Sequence, residues 1–324
     1  MFNGNFLKEL EDTWVAIPSF LKFDLQRLQK TNSDQRLYFL NNDPEERLFL
    51  NCTGFCDAVL PSSSHLIDWR VEQADTLSRE IADVRFRLAT EYGSIFHICV
   101  AYIVRKIGEN PENWKVSNIS NLCEDIATQY LAQNCPAIPI KSFMDNYSHT
   151  LHKDVTCFCQ FAIDYKLRVI ASEFRVVDYD NFIAGTLDLA AQITVKGQTI
   201  TYIIDFKSGK KGFYDKHALQ LAFLMHAWNK MAKLYGGMPT IERIANFAPK
   251  NYQKADKPTY SFEDQTDSLE VKCLPLYFEL AKTKGIVKSK TPKGIFWKDG
   301  KPYFEKLLDE FTFSANSEND LFTP

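Results

Sequence analysis

The sequence predicts a mixed α/β fold, and three observations carry that reading. β-rich runs, alternating or continuously apolar, occur at 169–177, 182–195 and 199–206. Apolar residues recur at helical spacing before these runs, at 154–167, and after them, at 215–234. The order helix, three strands, helix, strand is that of an α/β core rather than an all-helical or all-β domain. At 324 residues the chain suffices for one decorated domain or two ordinary ones. Its 45% apolar and 24% charged content matches ordinary globular usage and excludes wholesale disorder or a fibrous architecture.

Each element has a local reason. Residues 1–72 are rich in turn signals, such as Asn41-Asn42-Asp43-Pro44 and Pro61-Ser62-Ser63-Ser64, around one strand at 47–51, and read as an irregular N-terminal subregion. From 74 to 107, Ile81, Phe86, Ala89, Phe96, Val100 and Ile103 recur mostly every three to five residues. One or two amphipathic helices follow, ending before Gly108 and Pro111. Gly197-Gln198 separates the second and third β-runs as a hairpin turn. In 215–234, Ala218, Leu221, Ala222, Met225, Trp228 and Ala232 form one stripe, and 243–248 reads as a further strand. Beyond it come a helix at 269–282, a lysine-rich stretch, a short helix near 304–311, and a polar tail expected to be disordered after Ser314. The expected division is 1–72, a core at 73–250, and a lysine-rich extension at 251–324.

Charge and cysteine usage limit the function classes. Lys plus Arg number 38 against 41 Asp plus Glu, a net charge of −3, which excludes a generally basic nucleic-acid coat but allows a local basic face. The eight cysteines are scattered, and Lys8, Glu9, Glu11 and Asp12 interrupt the apolar residues of 1–17, so a reducing, cytoplasmic setting is expected. The best apolar run, 95–104, is far short of the ~18 residues needed to span a bilayer.

The chemistry concentrates in Gly185-Thr186-Leu187-Asp188 and, after the hairpin, Ile203-Ile204-Asp205-Phe206-Lys207. Side chains alternate along a strand, so Asp205 and Lys207 face one way and Phe206 the other, while hairpin pairing brings Asp188 beside Asp205. Two neighbouring carboxylates repel unless they share a proton or a cation, and hard oxygen donors suit Mg²⁺ or Mn²⁺. A lysine beside such an ion can orient or help deprotonate a water, and the ion can stabilise charge developing on a phosphate.

In these motifs the chain resembles the PD-(D/E)XK nuclease superfamily, particularly its RecB-like branch and related phage and mitochondrial exonucleases, over about 52–250. Gly93-Ser94-Ile95-Phe96-His97 resembles the family's Gly-x-x-x-His, and Glu173 its upstream glutamate. Gly185 to Asp188 and Asp205 to Lys207 resemble its Gly-x-x-Asp and Asp-x-Lys. Gln220 resembles the residue that opens its Gln-led helix, although position 224 is Leu where the family usually has Tyr. Five motifs in order are far more specific than any one of them. The resemblance implies a three-layer α/β/α restriction-endonuclease-like core with a mixed central sheet. It implies His97, Asp188 and Asp205 as metal ligands with the Phe206 carbonyl completing the shell, Glu173 as an accessory ligand or water-orienting group, Lys207 as the catalytic lysine, and Gln220 at the substrate backbone. The implied activity is Mg²⁺- or Mn²⁺-dependent hydrolysis of DNA with one or two ions, working from DNA ends in end processing, recombination or repair. The implied setting is a bacterial or phage-infected cell, with recombination or replication proteins as partners. An endonuclease, an RNA-directed nuclease, or a catalytically silent binding module are the rivals.

Three further features bear on cofactors and partners. His149, His152, Cys157 and Cys159 lack the paired C-x₂-C knuckles of structural zinc, and core packing is the expectation for the two cysteines, with no structural zinc. Only Cys273 lies downstream of Lys207, so no iron–sulfur cluster is expected. Between 282 and 301 stand seven lysines against Asp299 alone, with Phe296 and Trp297 interleaved. Lys288, Lys290, Lys293 and Trp297 are therefore candidates for gripping phosphates and stacking a base, and Lys210, Lys211 and Lys216 extend the same basic edge.

Overall fold

A computed structural model describes residues 14–15, 25–29, 36–60, 71, 79–107, 118–135, 138–208, 213–250, 257–286 and 295–304. Its centre is one mixed sheet of nine strands: β1 (Trp14–Val15), β2 (Leu25–Gln29), β3 (Arg36–Leu40), β4 (Leu48–Asn51), β5 (Arg168–Asp178), β6 (Ile183–Val195), β7 (Gln198–Phe206), β8 (Arg243–Lys250) and β9 (Thr259–Asp264). The pairing order is β2-β3-β4-β6-β7-β8-β9, with β5 on the other edge of β6 and β1 beyond it. The β4–β6 and β7–β8 pairs are parallel and the others antiparallel.

Helices cover both faces. One face carries α2 (Arg79–Ile107), α3 (Ile119–Asn134) and α4 (Ile140–Asp164), whose Phe96, Val100, Ile126, Phe158 and Phe161 pack on Leu189, Ile193, Ile204 and Phe247. The other carries α1 (Cys52–Val59), α5 (Asp215–Tyr235) and α6 (Leu269–Thr283), where Phe55, Phe223, Trp228 and Phe278 pack on Phe174, Ile183 and Ile203. This is the expected three-layer α/β/α arrangement, with a second small hairpin of β10 (Ile295–Lys298) and β11 (Lys301–Phe304). α5 is tied to the sheet by Asp178, which accepts hydrogen bonds from Lys230 (2.5 Å) and Asn181 (2.5 Å) and lies 3.1 Å from His226 Nε2.

Several elements depart from the sequence reading. The N-terminal region is not irregular throughout: β2, β3 and β4 extend the main sheet, and α1 follows β4 directly. β4 is the strand expected at 47–51, and β3 is an apolar run, Leu37-Tyr38-Phe39-Leu40, that escaped the sequence reading among the turn signals; only β2, with Gln26, Arg27 and Gln29, gains its order mainly from its neighbour in the sheet. α2 is a single helix from 79 to 107. The 154–167 helix begins fourteen residues earlier, at Ile140, and α3 precedes it. The β6–β7 turn is Lys196-Gly197, both at positive φ, one residue before the expected Gly197-Gln198. Phe304 ends a strand, while the rest of the expected 304–311 helix and the tail after Ser314 lie outside the described residues. No helix among the described residues is long and apolar enough to cross a membrane.

The sheet forks at its most sequence-distinctive point. On one edge of β6, β4 pairs as far as Asn51↔Ala184, and β7 takes over at Leu189↔Ile204. Residues 185–188 therefore face a gap between the two strand ends. Opposite them the pleat of both strands changes phase. Leu187 packs against α1, α5 and α6, but Leu189, two residues on, packs against the α2 side. On β5, Ala171 and Phe174 share one core although they are three positions apart, and Glu173 between them has φ +51°, a conformation rare for a residue with a side chain.

Gly185 allows the helices to close on this fork. A Cβ there would stand 2.9 Å from Leu224 Cδ2 and 3.2 Å from Cys52 Cβ, so α5 and α1 approach the strand only because the side chain is missing. Leu224 is itself fully buried. Gly185→Ala should destabilise the fold by about 1–3 kcal/mol through overpacking, measurable as a lower denaturant midpoint with unchanged slope. A midpoint equal to wild type would show that the helices do not press on the strand.

Candidate metal and catalytic site

The fork gathers side chains from four separate elements. His97 projects from α2, where Gly93 one turn earlier leaves room for Ser208, whose Oγ would lie 3.0 Å from a Cβ at that position. Glu173 comes from the irregular turn of β5, Asp188 from β6, and Asp205 and Lys207 from the end of β7 and the residue just past it. The β6–β7 register, carried one step beyond Leu189↔Ile204, sets Asp188 opposite Asp205.

Two sub-sites result. In the first, His97, Glu173 and Asp188 each offer a ligand atom, all within 4.8 Å of one another. His97 Nδ1 lies 3.3 Å from Asp188 Oδ1, and the Phe206 backbone N–H donates to Asp188 Oδ2 at 2.7 Å. The Phe206 ring, on the α2 side of the sheet, braces the His97 ring edge-on at 5.8 Å. In the second, Lys207 Nζ lies 2.7 Å from Asp205 Oδ2, which also accepts from Asn246 Nδ2 at 3.0 Å. The His97 side chain is 29% exposed and that of Asp205 only 5%. In each sub-site the cationic side chain is the more open: Lys207 is 23% exposed, while Asp188, at 13%, is nearly as enclosed as Asp205.

The electrostatics follow from this crowding. Burial works against a charged His97, but Asp188, Glu173 and Asp205 outweigh it and raise its pKa to about 9. Burial, reinforced by the Asp188 charge, raises Glu173 to about 7. Burial would raise Asp188, yet His97, the Phe206 N–H and Lys207 hold it below the ordinary carboxylate value. Asp205 is raised by burial and by Asp188, against the pull of Lys207. Burial opposes the charge on Lys207, but Asp205 overrides it and keeps the amine an ammonium at neutral pH. Near neutral pH the fork thus favours a proton on His97 and holds one more readily on Glu173 than an ordinary carboxylate does. Protons placed by clustered acids are what a divalent cation displaces. One imidazole and two carboxylates form a donor set suited to Mn²⁺ and, through the oxygens, to Mg²⁺.

The other residues singled out in the sequence are distributed as follows. Gln220 lies in α5 beside the fork, and its backbone carbonyl accepts from Cys52 Sγ at 3.8 Å. Lys216, at the start of α5, forms an ion pair with Asp57 of α1. Trp297 is turned inward, edge-on to Phe39 at 6.2 Å. Lys210, Lys211, Lys288, Lys290 and Lys293 lie outside the described residues. Cys157 and Cys159 are buried in α4, in the core of the α2 side. Two residues near the site escaped the sequence reading. Asn246 is fully buried and pairs with Asp205 across the parallel β7–β8 ladder, and its only signal is that it breaks an apolar run. His217, one turn before Gln220, is half-buried near Lys207 and Lys216. Burial and those charges lower its pKa to about 3.

A family model describing the PD-(D/E)XK nuclease superfamily matches residues 67–286, which include every residue of the fork. The chain belongs to the PD-(D/E)XK nuclease superfamily. No curated protein matches the chain. Membership makes it a nuclease hydrolase with a nucleic-acid substrate, of a superfamily that uses divalent metals. His97, Glu173 and Asp188 fit such an ion by donor chemistry and by mutual distance. Binding an ion there requires the proton to leave His97 and Glu173, so affinity should rise with pH. Calorimetric titration of the protein with Mn²⁺ is expected to show tighter binding at pH 8 than at pH 6, with protons released into the buffer. Pairwise equal affinities and no proton release would place the ion away from these residues.

Proposed function

We propose that this nuclease is a Mg²⁺- or Mn²⁺-dependent deoxyribonuclease of the RecB-like, phage-type exonuclease branch, acting from DNA ends in end processing, recombination or repair. The observation that carries the catalytic reading is the triad at the fork, His97, Glu173 and Asp188 within 4.8 Å, with the Lys207 ammonium alongside. The branch rests on the order of the motifs, from Gly93-x-x-x-His97 through Asp205-x-Lys207 to Gln220. The proposed setting is the cytoplasm of a bacterial or phage-infected cell, with recombination or replication proteins as partners.

In this reading His97, Glu173 and Asp188 hold the cation, with Asp205 and the Phe206 carbonyl at the adjoining strand end. When bound, such an ion acts as a Lewis acid on the scissile phosphate and lowers the pKa of a water. The chain's own residues do the rest. The Phe206 N–H fixes the Asp188 carboxylate, and Phe206 sets the plane of His97. Asp205, held by Asn246, locks Lys207 in its charged form, so its ammonium acts as a donor that orients the attacking water and faces the charge growing on the phosphate. Gln220, in the second turn of α5, is the residue proposed to contact the substrate backbone.

The test is cleavage of end-labelled linear DNA with Mg²⁺ or Mn²⁺, with products sized over time. Wild type should release mononucleotides or short products from the ends and leave covalently closed circles intact. Asp188→Asn and Lys207→Ala should each lose activity by about a hundredfold or more while folding normally. Undiminished cleavage by both variants would remove the catalytic assignment. Internal cuts in circular DNA, or RNA cut in preference to DNA, would replace the end-directed reading.

A further inference from the structure

The hairpin of β10 and β11 has two unlike faces. Its inner face, Ile295 and Trp297, packs on Leu37, Phe39 and Leu48 of the main sheet, and Asn42 N donates to the Gly300 carbonyl at 3.0 Å. Its outer face presents Phe296 opposite Tyr303 and, one step nearer the turn on the same face, Lys298 opposite Lys301. The two rings are 43% and 44% exposed, 6.0 Å apart and inclined by 36°.

Neither feature favours the hairpin in isolation. Like charges directly opposite one another across an antiparallel pair are destabilising. Large exposed aromatics side by side leave apolar surface in water. Both costs disappear if the face is covered by a ligand that is flat and apolar in one part and anionic in another. Unpaired nucleotides have that composition, with bases that stack on rings and phosphates that meet ammonium groups. A duplex keeps its bases stacked inside and could satisfy only the lysines.

The hairpin also packs on a strand that reaches the fork. On β3, Leu37 and Phe39 face the hairpin, while Tyr38 between them packs with α1 and α5 and bonds Thr186 Oγ1 in the fork at 2.9 Å. β3 is separated from β6 by β4 alone.

We propose that Phe296, Tyr303, Lys298 and Lys301 form a binding platform for a single-stranded stretch of the substrate, with the aromatic pair stacking a base and the lysines holding the adjacent phosphates. This deepens the nuclease reading above and rests on it for the identity of the strand. It shifts the stacking role from Trp297, which serves the inner face, to its neighbour and the residue paired with it.

The test is binding of the full-length protein to fluorescently labelled oligothymidine and to a duplex of equal length, in EDTA so that cleavage plays no part. Phe296→Ala/Tyr303→Ala should weaken oligothymidine binding about tenfold or more while changing duplex binding little. Lys298→Gln/Lys301→Gln should lower the salt dependence of oligothymidine binding by between one and two in the log–log slope. Phe296→Trp should keep affinity and show indole fluorescence quenched on binding. Unchanged oligothymidine affinity in the aromatic double variant, as a protein-docking face would give, overturns the platform. Equal losses on single strand and duplex overturn it too. Because the variants leave the fork intact, cleavage measured in parallel shows separately whether the catalytic reading stands.

Discussion

The structure turns on the packing of Asp188 against its neighbours in a gap of its own sheet. Its carboxylate accepts the Phe206 N–H at 2.7 Å, meets His97 at 3.3 Å, and shares the fork with Glu173. Placing acids this close is unfavourable unless positive charge is supplied, and in the protein alone protons on His97 and Glu173 supply it. Buried ionisable groups with strongly shifted pKa values in an open fork are the signature of a working site more than of a structural one.

The fold is arranged to keep that fork open and rigid. β4 and β7 approach β6 from opposite directions and stop short of one another, leaving 185–188 unpaired on one edge. Gly185 lets α1 and α5 seal the gap from one side, and Phe206 with α2 supports it from the other. The phase change at Glu173 and Asp188 is what a regular strand pair would not provide, and the left-handed backbone at Glu173 is its visible cost. Asp205, held on the neighbouring strand by Asn246, pairs with Lys207, so two charged sub-sites sit side by side.

Much of this was legible in the sequence because the decisive residues are local. Asp-x-Lys on a strand puts two side chains on one face by geometry alone, and a hairpin returns Asp188 beside them. The three central strands and α5 read correctly because their apolar runs are long and continuous. The three-layer arrangement followed from the family resemblance. What could not be read depends on distant partners. β2 carries Gln26, Arg27 and Gln29 and becomes a strand through the sheet it joins. α3 is different: Ile119, Leu122, Cys123, Ile126, Ala127 and Leu131 recur at helical spacing, a legible stripe that escaped the sequence reading. The partnership of Asn246 with Asp205 exists only once β7 and β8 lie in parallel register. Likewise the sequence shows Phe296 and Trp297 as adjacent aromatics. Only the hairpin register assigns one to the interior and pairs the other with Tyr303.

The central claim is that the fork is a cation site built from His97, Glu173 and Asp188. Diffraction from crystals soaked in Mn²⁺, collected near the manganese edge, tests it most directly. An anomalous peak within about 2–2.5 Å of donor atoms of His97 and Asp188, lost in Asp188→Asn crystals, is the expected result. A peak elsewhere, or none in the fork of a well-ordered soaked crystal, would contradict it.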